Sequence, residues 1–112
     1  MSMIRNNVQL IGNLGADPEV KTMTNGNKLA KFSLAIHEYQ KNAQGEKTTE
    51  TYWHYVIAWG KTAEYAERNL TKGKEIVLNG KLVSRNYTDK EGNKKYVTEV
   101  VANDIFVPAH KA

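Results

Sequence analysis

The sequence predicts an all-β domain, a five-stranded Greek-key barrel with one short helix between its third and fourth strands. Three observations lead there. Several short stretches alternate apolar and polar residues with a period of two, the mark of a half-buried strand. Once, between residues 62 and 70, the period changes to that of a helix. At 112 residues the chain has room for one barrel-sized core but not for a second lobe. One domain over 1–112 is therefore expected, with a core over about 6–107 and a short tail at 108–112.

The first strand covers 7–14, where Val8, Leu10 and Ile11 lead into Gly12-Asn13-Leu14-Gly15 and the turn residues Ala16-Asp17-Pro18. A glycine there suggests a bulge. After the turn signal Asn25-Gly26 comes a second strand, in which Ala30, Phe32, Leu34 and Ile36 share one face. The polar run 40–47 separates it from a third, 48–58, rich in Thr, Tyr, Trp, Val and Ile; the two form a long hairpin. In the helix, Ala63, Ala66 and Leu70 lie on one side, Glu64 and Glu67 suit the N-terminal turn, and Gly73 is a C′ cap. Strands at 75–83 and 96–107 follow, joined by a polar loop at 88–95. Three strands, a helix and two strands is the order of the oligonucleotide-binding, or OB, barrel. A small α+β sandwich is the competing architecture.

Sixteen Lys and Arg stand against twelve Asp and Glu, a net charge of +4. The surplus is concentrated: Lys72, Lys74, Lys81, Arg85, Lys90, Lys94 and Lys95 face only Glu75, Asp89 and Glu91 between residues 72 and 95. A polyanionic partner fits that distribution. The chain has no cysteine, which excludes disulfides, thiolate catalysis and Cys-based zinc sites. No apolar run approaches the roughly 20 residues of a membrane span, and the N-terminus has no signal-peptide stretch, so a soluble intracellular protein is expected.

The third strand carries the sharpest signal. At a period of two, Trp53, Tyr55, Ile57 and Trp59 point one way and Tyr52, His54, Val56 and Ala58 the other. Small and β-branched Val56 and Ala58 suit a barrel interior, which turns the aromatic row outward, where unpaired bases stack. A one-residue change of register would instead make this row the core. Tyr39, ending the second strand, and Tyr87, entering the basic hairpin, sit beside polar loops. Tyr96 is placed opposite Tyr87 as a cross-strand pair. Arg85, Lys90, Lys94 and Lys95 cluster on that hairpin as candidate phosphate contacts, which carry affinity without sequence information.

Enzymatic motifs are missing. There is no phosphate-binding Gly-x-x-x-x-Gly-Lys-Ser/Thr loop and no Gly-x-Ser-x-Gly elbow, and the acids are scattered. His37, His54 and His110 lack metal-ligand spacing, so neither metal nor cofactor is expected. His54, facing away from the tryptophans, is a structural or interface histidine.

These residues resemble the bacterial single-stranded DNA-binding protein family from about Asn6 to Val107. The run from Val8 to Val20 is similar to the family's first strand and turn, and Thr51-Tyr52-Trp53-His54-Tyr55-Val56 to its Trp-His signature. Gly60-Lys61, Lys72-Gly73 and Tyr96-Val97-Thr98-Glu99-Val100 match further blocks. The resemblance implies an OB-fold homotetramer in the cytoplasm, associated with the nucleoid, that binds and protects single-stranded DNA without sequence preference in replication, recombination or repair. It places base stacking on Tyr39, Trp53, Trp59 and Tyr87 and a subunit interface at His54; Arg5, Lys61, Lys72, Arg85, Lys94 and Lys95 are the expected backbone contacts. Tyr39 and Tyr87 stand where many members have Trp, which implies weaker stacking there. A primosomal-type OB protein that bridges replication factors is the alternative. Family members typically continue into a flexible linker with an acidic tip that recruits other proteins; this sequence ends in the basic His110-Lys111-Ala112, so recruitment by that route is not expected.

Overall fold

The computed structural model describes residues 5–108. Over these the chain forms β1 (Val8–Leu14), β2 (Glu19–Thr22), β3 (Lys28–Lys41), β4 (Lys47–Trp59), α1 (Gly60–Asn69), β5 (Glu75–Thr88) and β6 (Lys94–Phe106). Strand neighbours run β1-β5-β6-β4-β3-β2, and β1 also pairs with β3 through Asn13–Ala35 and Leu14–Leu34. That last pairing closes β1, β5, β6, β4 and β3 into a five-stranded barrel. All the pairings are antiparallel except β4 with β6, where Val56 faces Val100 and Ile57 faces Val101 in parallel. The predicted barrel and the helix between its third and fourth strands are both present.

The core follows the pleat. Phe32, Leu34, Val56, Leu78 and Val100 point inward from four strands and are buried, each stabilising the fold by about 1.5–3 kcal/mol relative to exposure. Helix α1 covers one end of the barrel with Ala63 and Ala66, and Leu70 just beyond it is buried in the same core. Its small residues let the helix axis approach β3, β4 and β6 closely. Lys28 Nζ reaches Glu67 Oε1 at 2.6 Å and ties the helix to β3.

Several details differ from the sequence reading. Strand β2 was not anticipated; with Val20 its only apolar residue, it has no alternation to detect, and it lies on the edge of β3 beyond the closed barrel. The first strand has no glycine bulge, since β1 pairs with β5 in continuous register from Val8 to Asn13. The register shift lies instead in the β5–β6 pairing, where Asn79 faces Asp104 and Gly80 faces Ala102, leaving Asn103 of β6 as the extra residue. The helix begins at Gly60, two residues before the predicted start, so Glu64 and Glu67 fall beyond its first turn. It ends on an extended Leu70, and Gly73, at φ 85°, serves the turn before β5 rather than capping the helix.

In the polar stretches at 40–47 and 88–95 only the ends are strand, and the five central residues of each are turn. Each hairpin closes with a five-residue turn, Asn42 to Glu46 and Asp89 to Asn93, whose fourth residue is a glycine at φ 80° or 85°. Asn42 Oδ1 accepts from the Gln44 and Glu46 N–H groups, and Asp89 Oδ1 from those of Glu91 and Asn93. This side-chain capping with a left-handed glycine makes a compact turn, so pairing continues out to Lys41–Lys47 and Thr88–Lys94. Both hairpins therefore extend as paired arms, and the loops read from the polar composition shrink to these five-residue tips. The predicted tail at 108–112 lies, apart from Pro108, outside the described residues, as does His110.

Candidate nucleic-acid interface

The facing assigned to the third strand holds. Val56 is 1% exposed and Ala58 0%, against 58% for Trp53, 63% for Tyr55 and 47% for Trp59. Directly opposed residues share a face, so the register extends this outer surface across four strands. Lys31, Ile57, Val101 and Lys81 form one continuous row from β3 to β5, a lysine at each end. Beside it Ser33 faces Tyr55 and Ala35 faces Trp53. Farther out on the same side of β3 are His37, whose Nδ1 lies 3.0 Å from Thr51 Oγ1, and Tyr39, fully on the surface.

Trp53 is seated by a missing side chain. A Cβ added at Gly15 would lie 2.6 Å from Trp53 Cζ3 and 2.8 Å from Ser33 Oγ. The ring thus rests against the backbone at the end of β1, where the Gly15 N–H donates to the Ser33 carbonyl at 3.0 Å.

On the second arm, Tyr87 faces Lys95, and Arg85 faces Val97. Those four share one side. Tyr96 faces Asn86, one step along, so it points to the other side of the ribbon and is not the cross-strand partner of Tyr87. Lys94, opposite Thr88, also lies on that other side, and Lys90 is in the turn. Of the basic cluster read from the sequence, Arg85 and Lys95 flank Tyr87 on its own side and Lys94 does not.

Arg85 already has a partner. Its Nε donates to Glu99 Oε1 at 2.8 Å and its Nη2 to Oε2 at 3.3 Å. Glu99 is 7% exposed, whereas the arginine side chain is half-exposed. The hydrogen bond, and then the charge, of Glu99 hold the guanidinium above its ordinary value. One edge of that guanidinium remains open to a phosphate. The pair is asymmetric: Arg85→Met strands a buried carboxylate, whereas Glu99→Gln leaves a cation that water can solvate. Arg85→Met is expected to lower the urea midpoint more than Glu99→Gln; equal losses would contradict the asymmetry.

The remaining predicted contacts are spread around this surface. Between β2 and β4 lies a recess of about 270 Å³ whose lining includes Asp17, Lys31, Ser33, Tyr55 and Glu99. Asp17 Oδ1 accepts the Lys72 N–H at 2.8 Å, which brings exposed Lys72 to its edge. Lys61 is exposed in the first turn of α1, two residues past Trp59. Arg5 is exposed next to Asn6, whose side chain pairs with the Leu82 backbone. His54 points to the opposite side, where it lines an open groove with Leu10, Ile11, Ile36 and Tyr52. Sequence reasoning missed Lys31 and Lys81, which join the aromatic row only through strand register, and it left Tyr55 out of the stacking set. Among the described residues no His, Asp and Glu side chains gather in a group of three or more able to hold a metal, and no helix is long and apolar enough to cross a membrane.

The family model described as "Single-strand binding protein family" matches residues 5–107. The chain belongs to the single-strand binding protein family. Curated relatives of this family include Single-stranded DNA-binding protein 1 of Xylella fastidiosa (strain 9a5c), 45% identical over 101 residues that make up 89% of this chain and 74% of that one. The protein of the same name from Chlorobaculum tepidum is 41% identical over 101 residues, 89% of this chain and 62% of that one. Among solved structures, a Plasmodium falciparum SSB in complex with ssDNA superposes with a TM-score of 0.86 at 25% identity, over 97% of this chain and 99% of that one. The family is one of DNA-binding proteins rather than enzymes, and its OB barrel agrees with the closed sheet described above.

Proposed function

We propose that this single-strand binding protein holds unpaired DNA on the outer surface of β3, β4, β5 and β6, stacking bases on Tyr39, Trp53, Trp59 and Tyr87 and contacting the backbone through Arg5, Lys61, Lys72, Arg85 and Lys95, with Lys94 reaching it from the other side of the β5–β6 ribbon. The observation that carries this reading is the exposed row of Trp53 and Tyr55 beside a line of residues with a lysine at each end. Aromatic faces accept any base, and lysines meet a phosphate that carries no sequence information. Binding is accordingly sequence-independent, which suits protection of single strands in replication, recombination or repair, in the cytoplasm with the nucleoid. The whole chain acts as one OB domain. Ile11 and Tyr52 are exposed on the opposite face, around His54; this apolar surface supports self-association there, with His54 at a subunit interface of a homotetramer.

A titration of labelled oligo-dT, run beside light scattering, tests the reading. Expected are quenched tryptophan fluorescence, an affinity that falls linearly on a log–log plot against salt, and the mass of a tetramer. No binding at about 50 mM salt would overturn the proposed ligand, and a monomeric mass the proposed interface.

A further inference from the structure

The tip of the β3–β4 arm places Lys41 directly opposite Lys47. Like charges at directly opposed positions repel and destabilise a strand pair, yet both side chains are exposed and neither has an ion-pair partner among the described residues. The nearest acid in the chain, Glu46, is held by Asn42 Nδ2 at 3.0 Å. The turn itself is tightly bonded through Asn42, as described above, so the two lysines are held facing each other.

The alternation of β3 and β4 puts this pair on the side of Tyr39 and Trp53. A shallow depression there is lined by Tyr39, Gln40, Lys41 and Lys47. On the reverse side the arm carries the opposite arrangement, Glu38 facing Glu50. The arm is therefore basic on the side of the aromatic row and acidic on the other, and a polyanion is attracted to one and repelled from the other.

We infer that Lys41 and Lys47 form a phosphate-binding clamp beside Tyr39, carrying single-stranded DNA out along the arm. The clamp lies six residues beyond Trp53, about 20 Å at the rise of a strand. Its ligand is a phosphodiester of the strand whose neighbouring base meets Tyr39. The bound phosphate relieves the repulsion between the two lysines, so the pair is better satisfied with DNA than without it. This inference rests on the proposed single-strand binding and adds a contact at the far end of its path.

The test compares wild type, Lys41→Gln/Lys47→Gln and Trp53→Ala by anisotropy of labelled oligo-dT about 16 nucleotides long, across a salt series. The double variant should flatten the log–log salt slope by about 1.4 for each protomer the strand contacts, at about 0.7 per phosphate neutralised, and bind tens-fold more weakly at about 50 mM salt. Trp53→Ala should lose affinity with its slope unchanged. Thermal denaturation of the free double variant should match or exceed that of wild type, since a repulsion has been removed. If wild type binds and the double variant keeps its slope, the clamp is wrong while DNA binding stands. If wild type does not bind, the reading beneath it has failed.

Discussion

Trp53→Ala is expected to weaken oligo-dT binding by about 1–3 kcal/mol, or roughly 5- to 150-fold, while the protein remains folded. The ring is more than half exposed, so its removal opens no cavity in the core. A base stacked on it, by contrast, loses most of its contact area. Gly15→Ala tests the same site without touching the tryptophan. Its Cβ would crowd Cζ3 at 2.6 Å and Cη2 at 3.1 Å, so the ring must swing away from the β1 backbone and no longer lie along the row with Tyr55. Most of the Trp53→Ala loss should reappear in Gly15→Ala, and the double variant should be no weaker than Trp53→Ala alone, as expected for two changes acting on one contact. Anisotropy of a labelled oligonucleotide measures the binding, and circular dichroism confirms the fold. Wild-type affinity in Gly15→Ala would show that the glycine does not set the ring's position.

The part of this surface that was legible in the sequence is the part lying within one strand. In 53–59, small inward residues alternate with large outward ones because a narrow barrel admits Val56 and Ala58 and rejects tryptophan. That contrast fixes the facing without knowledge of any partner strand. What joins strands was not legible. Lys31 lies 26 residues before Ile57 and 50 before Lys81, and only the observed pairing puts them in one row. The bond from Arg85 to Glu99 was hidden for the same reason, since pleat alternation places the two on one face only once the β5–β6 register is known. The ends of the arms were cut short for a different physical cause. From Glu38 to Lys41, and from Lys47 to Trp53, every residue is exposed, because the arms leave the barrel and have no core to cover. Toward its end such a strand loses its apolar alternation, and Gln40-Lys41, Lys47, Thr88 and Lys94-Lys95 take on the composition of a loop. Short turns built on Asn42 and Asp89, rather than hydrophobic patterning, keep those arms paired.

Gly80→Ala is expected to damage the fold more than any surface change. Gly80 pairs with Val8 of β1 on one edge and Ala102 of β6 on the other, immediately after the register shift at Asn79. A Cβ there would overlap the Val101 carbonyl oxygen and crowd the Ala102 Cα at 3.1 Å. These are backbone atoms. Val101 cannot step aside, because it is also paired in parallel with Ile57 across the barrel, so relief must come from parting β5 and β6 where the sheet bends. Overpacking of this kind costs about 3 kcal/mol, a large share of the roughly 5–15 kcal/mol that holds a domain folded. At this size the melting temperature should fall by more than about 10 °C. Gly92→Ala supplies the contrast. A Cβ at Gly92 meets no atom within 4 Å, but its φ of 85° is one that alanine adopts at a cost of about 1–2 kcal/mol. Gly80 has no positive φ, so alanine there suffers from contact alone. Thermal denaturation should therefore rank Gly80→Ala well below Gly92→Ala. Equal losses would mean that the close approach of β5 to β6 relaxes easily, and that backbone conformation rather than contact governs both sites.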